Sequence, residues 1–158
     1  MSAIKIRRSK KVYQTVLNSR GERREFKITW GLAEGYGATA KTHTPDEVVA
    51  LIEDYLKNKA AGGESYLTGT VTTGVVVYAW PQEKGEAGSG HEPNAVYSGE
   101  VSPLYNSGLS DEFVGKILDE MAGQIGGQLG QTRVYVAFGH ETWVLQKEDT
   151  ATPTGETV

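Results

Sequence analysis

The chain has 158 residues and 17.1 kDa, with 38% hydrophobic and 23% charged residues, a size and balance that suit one soluble globular domain rather than two. It contains no cysteine, which excludes disulfides, thiolate nucleophiles and zinc–thiolate sites. Its longest apolar run, Val75–Trp80, is six residues, too short to span a bilayer, and no apolar signal core follows Met1, so a cytoplasmic protein without membrane contact is expected.

Charge is unevenly spread. The first 30 residues carry nine Lys/Arg against Glu22 and Glu25, while the whole chain is at −4. A basic amino-terminal arm of this kind fits a nucleic acid or another anionic ligand. It equally fits pairing with the protein's own acidic body or protection of an edge strand.

Within that arm, Lys11–Leu17 and Arg24–Trp30 are rich in β-branched and aromatic residues and flank Asn18-Ser19-Arg20-Gly21, a pattern that predicts a β-hairpin. Residues 31–42 read as a Gly/Ala-rich loop. Its stretch Gly35–Thr42 nearly matches a phosphate-binding loop, with Ala40 in place of the second glycine. In such a loop the lysine and threonine open a helix. Here the helix signal starts later, at Thr44, so a flexible loop is the default and Lys41 and Thr42 are retained only as candidate ligand contacts.

Thr44 as N-cap, Pro45 at the first helical position and Glu47 three residues after the cap predict a helix with a capping box. Val48, Val49, Ile52, Tyr55 and Leu56 form its apolar stripe, and Gly62-Gly63 end it. Ser65–Trp80 is β-rich, with Gly69 and Gly74 as expected bulges or turns. Residues 81–93 have almost no apolar content and read as a mobile surface loop. A strand is expected over 94–102. Ser110 then caps a second helix, whose stripe is Phe113, Ile117, Met121 and Ile125, flanked by Val114 and Leu118 and ended by Gly126-Gly127. Thr132–Phe138 and Thr142–Gln146 predict a closing hairpin around Gly139-His140-Glu141, and a disordered polar tail follows from residue 148.

The two helix-then-strand stretches correspond at an offset of 65, with eight identical pairs across residues 45–80, among them Asp46/Asp111, Val49/Val114, Ile52/Ile117, Gly62/Gly127 and Gly74/Gly139. The expected fold is therefore α+β: two β-α-β-hairpin repeats forming one antiparallel or mixed sheet, with both helices on one face, in a single domain over 1–147. Two helices cover only one sheet face, so a homo-oligomer is expected. The stretch from Ala95 through the second helix, Gly126-Gly127 and Arg133-Val134-Tyr135-Val136 to Trp143 resembles the second half of the tautomerase (macrophage-migration-inhibitory-factor-like) superfamily. The resemblance implies tandem β-α-β units that assemble as trimers. It also implies a catalytic amino-terminal proline, but residue 2 here is Ser2, so no catalytic residue carries over.

The remaining chemistry-bearing residues are sparse. His43, His91 and His140 are the only histidines. His140-Glu141-Thr142 fits one half of a two-histidine phosphoesterase pattern, without a properly spaced second half. None of the histidines shows metal-ligand spacing with Glu92 or Glu141, and solvated turn residues are the simpler reading. Asp46/Glu47 and Asp111/Glu112 sit in helix first turns, where the helix dipole favours acids. The expected function is a non-enzymatic binding protein without cofactor or metal, its ligand being an anionic small molecule, a nucleic acid or a protein. Candidate contacts are Arg23, Arg24, Lys41, Thr42 and His140. The alternatives are a divergent tautomerase-like or phosphoesterase enzyme and a purely structural protein.

Overall fold

The computed structural model describes residues 12–35 and 40–148; the basic residues before Val12, the centre of the Gly/Ala-rich loop and the chain after Glu148 lie outside the described residues. In chain order the elements are β1 (Glu25–Gly31), β2 (Ala33–Glu34), β3 (Lys41–Thr42), α1 (Pro45–Ala61), β4 (Thr70–Trp80), a short 3-10 turn (Gln82–Lys84), β5 (Gly88–Glu100), α2 (Asp111–Gln128), β6 (Arg133–Phe138) and β7 (Glu141–Gln146). Five strands form one sheet in the order β4-β5-β1-β6-β7, every neighbouring pair antiparallel, and β2 and β3 form a separate two-stranded ribbon. The fold is thus α+β, with each helix leading into an antiparallel hairpin of the shared sheet.

Strand alternation decides the faces. Phe26, Ile28 and Trp30 point inward, and so do their cross-strand partners Tyr97, Ala95, Val136 and Phe138. Onto this face α1 lays Val48, Ile52 and Tyr55, and α2 lays Val114, Leu118, Met121 and Ile125. Trp30 is fully buried and its indole N–H donates to the Ala122 carbonyl at 3.1 Å, tying the central strand to the middle of α2. Both helices begin as the caps predict: Thr44 Oγ1 accepts from Glu47 N at 3.2 Å and Ser110 Oγ from Phe113 N at 3.1 Å. Lys59 joins the two helices by pairing with Glu120 while lying 5.5 Å from the Tyr55 ring centre; burial pushes the Tyr55 hydroxyl up to about 12.

Several sequence expectations are corrected. The hairpin of 11–17 with 24–30 does not form: β1 lies in the centre of the sheet with both edges taken by β5 and β6, and Val12, Tyr13 and Leu17 stay exposed. Gly74 is neither a bulge nor a turn, because the β4–β5 register runs unbroken through it. The surface loop expected over 81–93 is largely strand: residues 88–93 pair with β4 out to its last residue. Aromatic rings explain how so glycine-rich a stretch holds a strand, since Trp80 lies over Gly88 and Tyr78 over Gly90, where any β-carbon would clash. Gly126-Gly127 does not end α2, which continues to Gln128 and gives way at Gly130, φ +65°. Gly126 is instead a packing glycine, a β-carbon there standing 2.6 Å from Val134 Cγ2. Phe113 is 47% exposed, so the buried stripe runs through Val114 instead. The 65-residue correspondence holds for buried Ile52 and Ile117. It departs at Gly74, inside a strand, against Gly139, the β6–β7 turn at φ +58°.

Candidate functional site

The sequence-predicted contacts fall into two groups at opposite ends of β1, separated by roughly 20 Å of strand. Arg23, Arg24 and His140 come together beside the start of β1, where they line a cleft of about 980 Å³ between the first half of α2 and the β6–β7 turn. Its two arginines are already engaged. Arg23 Nε donates to Glu100 Oε1 at 2.8 Å and its other end pairs with Glu25, both raising its pKa. Arg24 Nε donates to Asp111 Oδ1 at 3.1 Å, and its guanidinium carbon lies 5.6 Å from the Phe138 ring centre. Glu22, Asp111, Glu112, Asp119 and Glu141 line the same cleft and outnumber Arg23, Arg24 and Lys116. These arginines pair with the protein's own acids, which leaves little positive potential for an anion.

Lys41 and Thr42 form β3, at the other end. They sit in a strand rather than at a helix start, where the lysine and threonine of a phosphate-binding loop stand. Lys41 Nζ lies 3.8 Å from Glu34 Oε2. His43, read from sequence as a solvated turn residue, is 6% exposed: Nδ1 lies 2.6 Å from Glu47 Oε2 and Nε2 lies 3.0 Å from Glu34 Oε2. Its hydrogen bond holds the Glu47 carboxyl below the usual range. Among the described residues no group of three or more His, Asp and Glu side chains is arranged to hold a metal ion, and no helix is long and apolar enough to cross a membrane.

The helix-free face of the sheet carries a different arrangement near the end of β1. Gly31 pairs with Asn94, which pairs with Gly74, so two glycines flank an asparagine across three strands. A strand glycine leaves the backbone open to close approach. Two side chains converge over this floor: a β-carbon on Gly31 would stand 2.6 Å from Gln131 Oε1 and 2.8 Å from Glu92 Oε1. Glu92 comes from β5, and Gln131 from the turn between α2 and β6. Asn94 Oδ1 is buried without a hydrogen-bond partner, and burial alone pushes the Glu92 carboxyl above the usual carboxylate range. The Gln131 amide nitrogen is committed, donating to Ala33 O at 2.9 Å and Leu129 O at 3.2 Å, which turns its oxygen toward Gly31.

Two oxygens therefore face the depression at Gly31 as acceptors, a desolvated carboxylate and an oriented amide oxygen, and the orphaned Asn94 oxygen lies beside Gly74 on the same face of the sheet. A buried acceptor without a donor is costly, so the complement of this site is a ligand rich in donors or carrying positive charge. Sequence reading missed it. Glu92 lay in the supposed loop and Gln131 carried no motif; the one available signal was an interior strand glycine, Gly74, read as a bulge.

No known protein-family model matches the chain, and no curated protein matches it. Solved structures do match, among them two phage SAM lyase structures. A phage SAM lyase in complex with S-methyl-5′-thioadenosine matches with a TM-score of 0.62 at 15% identity, over 85% of this chain and 97% of that one. A phage SAM lyase in its apo state matches with a TM-score of 0.56 at 15% identity, over 86% and 97%. At this identity the likeness is one of fold. Neither structure is a tautomerase, and the tautomerase resemblance rests on topology alone.

Proposed function

We propose that this protein is an enzyme that binds S-adenosylmethionine or a closely related sulfonium nucleoside at the Gly31 depression and cleaves it as a lyase. The observation that carries the reading is the convergence of the Glu92 and Gln131 oxygens over Gly31, with the unpartnered Asn94 oxygen next to them beside Gly74. Such a ligand brings what these groups lack: a sulfonium, an ammonium and ribose hydroxyls. Glu92 would face the cation, and the two amide oxygens would accept from ammonium or hydroxyl groups. Fold likeness to the phage lyases supports the same ligand class. As the bond from sulfur to the γ-carbon of the amino-acid chain breaks, its electron pair goes to sulfur and releases S-methyl-5′-thioadenosine, while an oxygen of the substrate's own carboxylate bonds to that carbon and closes the amino-acid fragment into a lactone. The anionic ligand expected from Arg23, Arg24 and Lys41 has less support, because all three lie beside carboxylates.

The second reading is the non-enzymatic one, in which the nucleoside is held and not cleaved. Incubation of the purified chain with S-adenosylmethionine, followed by chromatography and mass spectrometry, separates them. Accumulation of S-methyl-5′-thioadenosine, lost in Glu92→Gln, supports the lyase. Calorimetric binding without turnover supports the binding protein. No binding of either nucleoside overturns both. A homo-oligomer belongs to this reading as well. The helix-free face exposes Val76, Tyr135 and Val144, and edge strand β4 carries no charged residue to discourage pairing.

A further inference from the structure

His43 takes no part in the acceptor set, yet it is the one polar side chain in the buried core among the described residues, and both of its ring nitrogens face carboxylates. A carboxylate only accepts, so each side of the ring offers an acceptor to an imidazole N–H. The two carboxylates belong to different elements: Glu34 to β2 and Glu47 to the first turn of α1. His43 N also donates to Leu32 O at 2.7 Å. The ring therefore fastens the β2–β3 ribbon to the start of α1.

That ribbon is also what orients Gln131. Ala33 O, on β2, receives the Gln131 amide N–H, and Glu34 lies directly against Gly130, where no β-carbon fits. Gly130 has φ +65° and immediately precedes Gln131. A continuous path thus runs from Glu47 through His43 and Glu34 to Gly130 and Gln131, and ends at the oxygen over Gly31. The charged groups facing the ring are Glu34 and Glu47, with Lys41 on the far side of Glu34.

We infer that His43 is a positioning residue: held between Glu34 and Glu47 it locks the β2–β3 ribbon, and through Ala33 O it holds the Gln131 amide with its oxygen turned into the depression. Its role in ligand binding rests on the nucleoside reading above; its effect on Gln131 does not.

The experiment uses the full ¹⁵N-labelled chain. The Gln131 side-chain amide protons, assigned by their loss in Gln131→Ala, should be dispersed and slow to exchange. In His43→Gln, and separately in Glu34→Ala, which breaks the clamp from the ribbon side, they should exchange at least about ten-fold faster while the backbone resonances of β1 and β5 stay in place. S-adenosylmethionine affinity, read by calorimetry, should fall about ten-fold in the same variants, the effect of losing one oriented charge-assisted contact. Unchanged Gln131 protons in both variants overturn the proposal, as does loss of the cooperative melt in both, which would make His43 a plain structural residue. Faster exchange at Gln131 in a chain whose parent binds no S-adenosylmethionine leaves the positioning role standing and removes the nucleoside reading.

Discussion

Gly31→Ala isolates the depression from the rest of the fold. The new methyl group would point to the helix-free face, 2.6 Å from Gln131 Oε1 and 2.8 Å from Glu92 Oε1, well inside contact distance. Both neighbours are ends of side chains, and Gly31 is not among the residues with positive φ, so the free protein can absorb the methyl by small rotations. Alanine also relieves the roughly 0.5–1 kcal/mol that glycine costs inside a strand. The melting temperature of the free protein should therefore hold within about 3 °C, since about 1 kcal/mol moves a domain of this size by roughly 2–4 °C. The bound state has no such freedom, because the methyl occupies the floor while the two oxygens are needed in place. Overpacking of about 1–3 kcal/mol corresponds to roughly a 5- to 140-fold loss of affinity. Calorimetric titration with S-adenosylmethionine and S-methyl-5′-thioadenosine reads it directly, with Gly123→Ala, where the β-carbon meets nothing, as control. Parental affinity in Gly31→Ala, or a melting temperature lowered by about 10 °C, would refute the placement of the site.

Three further outcomes follow from the same geometry. Burial raises the Glu92 carboxyl, so its ionised form weakens the folded state as pH rises through and above the ordinary glutamate range; Glu92→Gln should melt higher than the parent at pH 7, converge with it near pH 4, and bind no nucleoside, as followed by fluorimetry and calorimetry. Gly126→Ala should destabilise by about 1–3 kcal/mol because its methyl meets Val134 Cγ2. Gly127→Ala, facing open space, should stabilise by up to about 1 kcal/mol; urea midpoints giving equal effects for the two would contradict the packing described. Trp30→Phe removes the donor to Ala122 O and opens space between β1 and α2, an expected loss of about 1–3 kcal/mol in chemical denaturation.

The sequence determined those features that a few neighbouring residues specify by themselves. Thr44-Pro45 with Glu47, and Ser110 with its acidic first turn, fixed both helix starts, since a cap is a contact between residues three apart. The closing hairpin around Gly139 was equally local, and periodicity at Ile52 and Ile117 placed both on the core. Strand partnership, by contrast, is a choice between distant segments. That β1 takes β5 and β6 on its two edges, leaving 11–17 unpaired, depends on which pairing buries Phe26, Ile28 and Trp30, and no local pattern states it. The glycine-rich stretch at 88–93 became a strand because Trp80 and Tyr78 cover it from across the hairpin. Gln131, Glu92 and Asn94, separated by up to 39 positions in the sequence, acquire a shared chemistry only because the sheet and the turn after α2 deliver the first two oxygens to Gly31 and the third to Gly74 across the neighbouring strand. Desolvation acts through space rather than along the chain, so only the tertiary structure could turn three ordinary polar residues into a site.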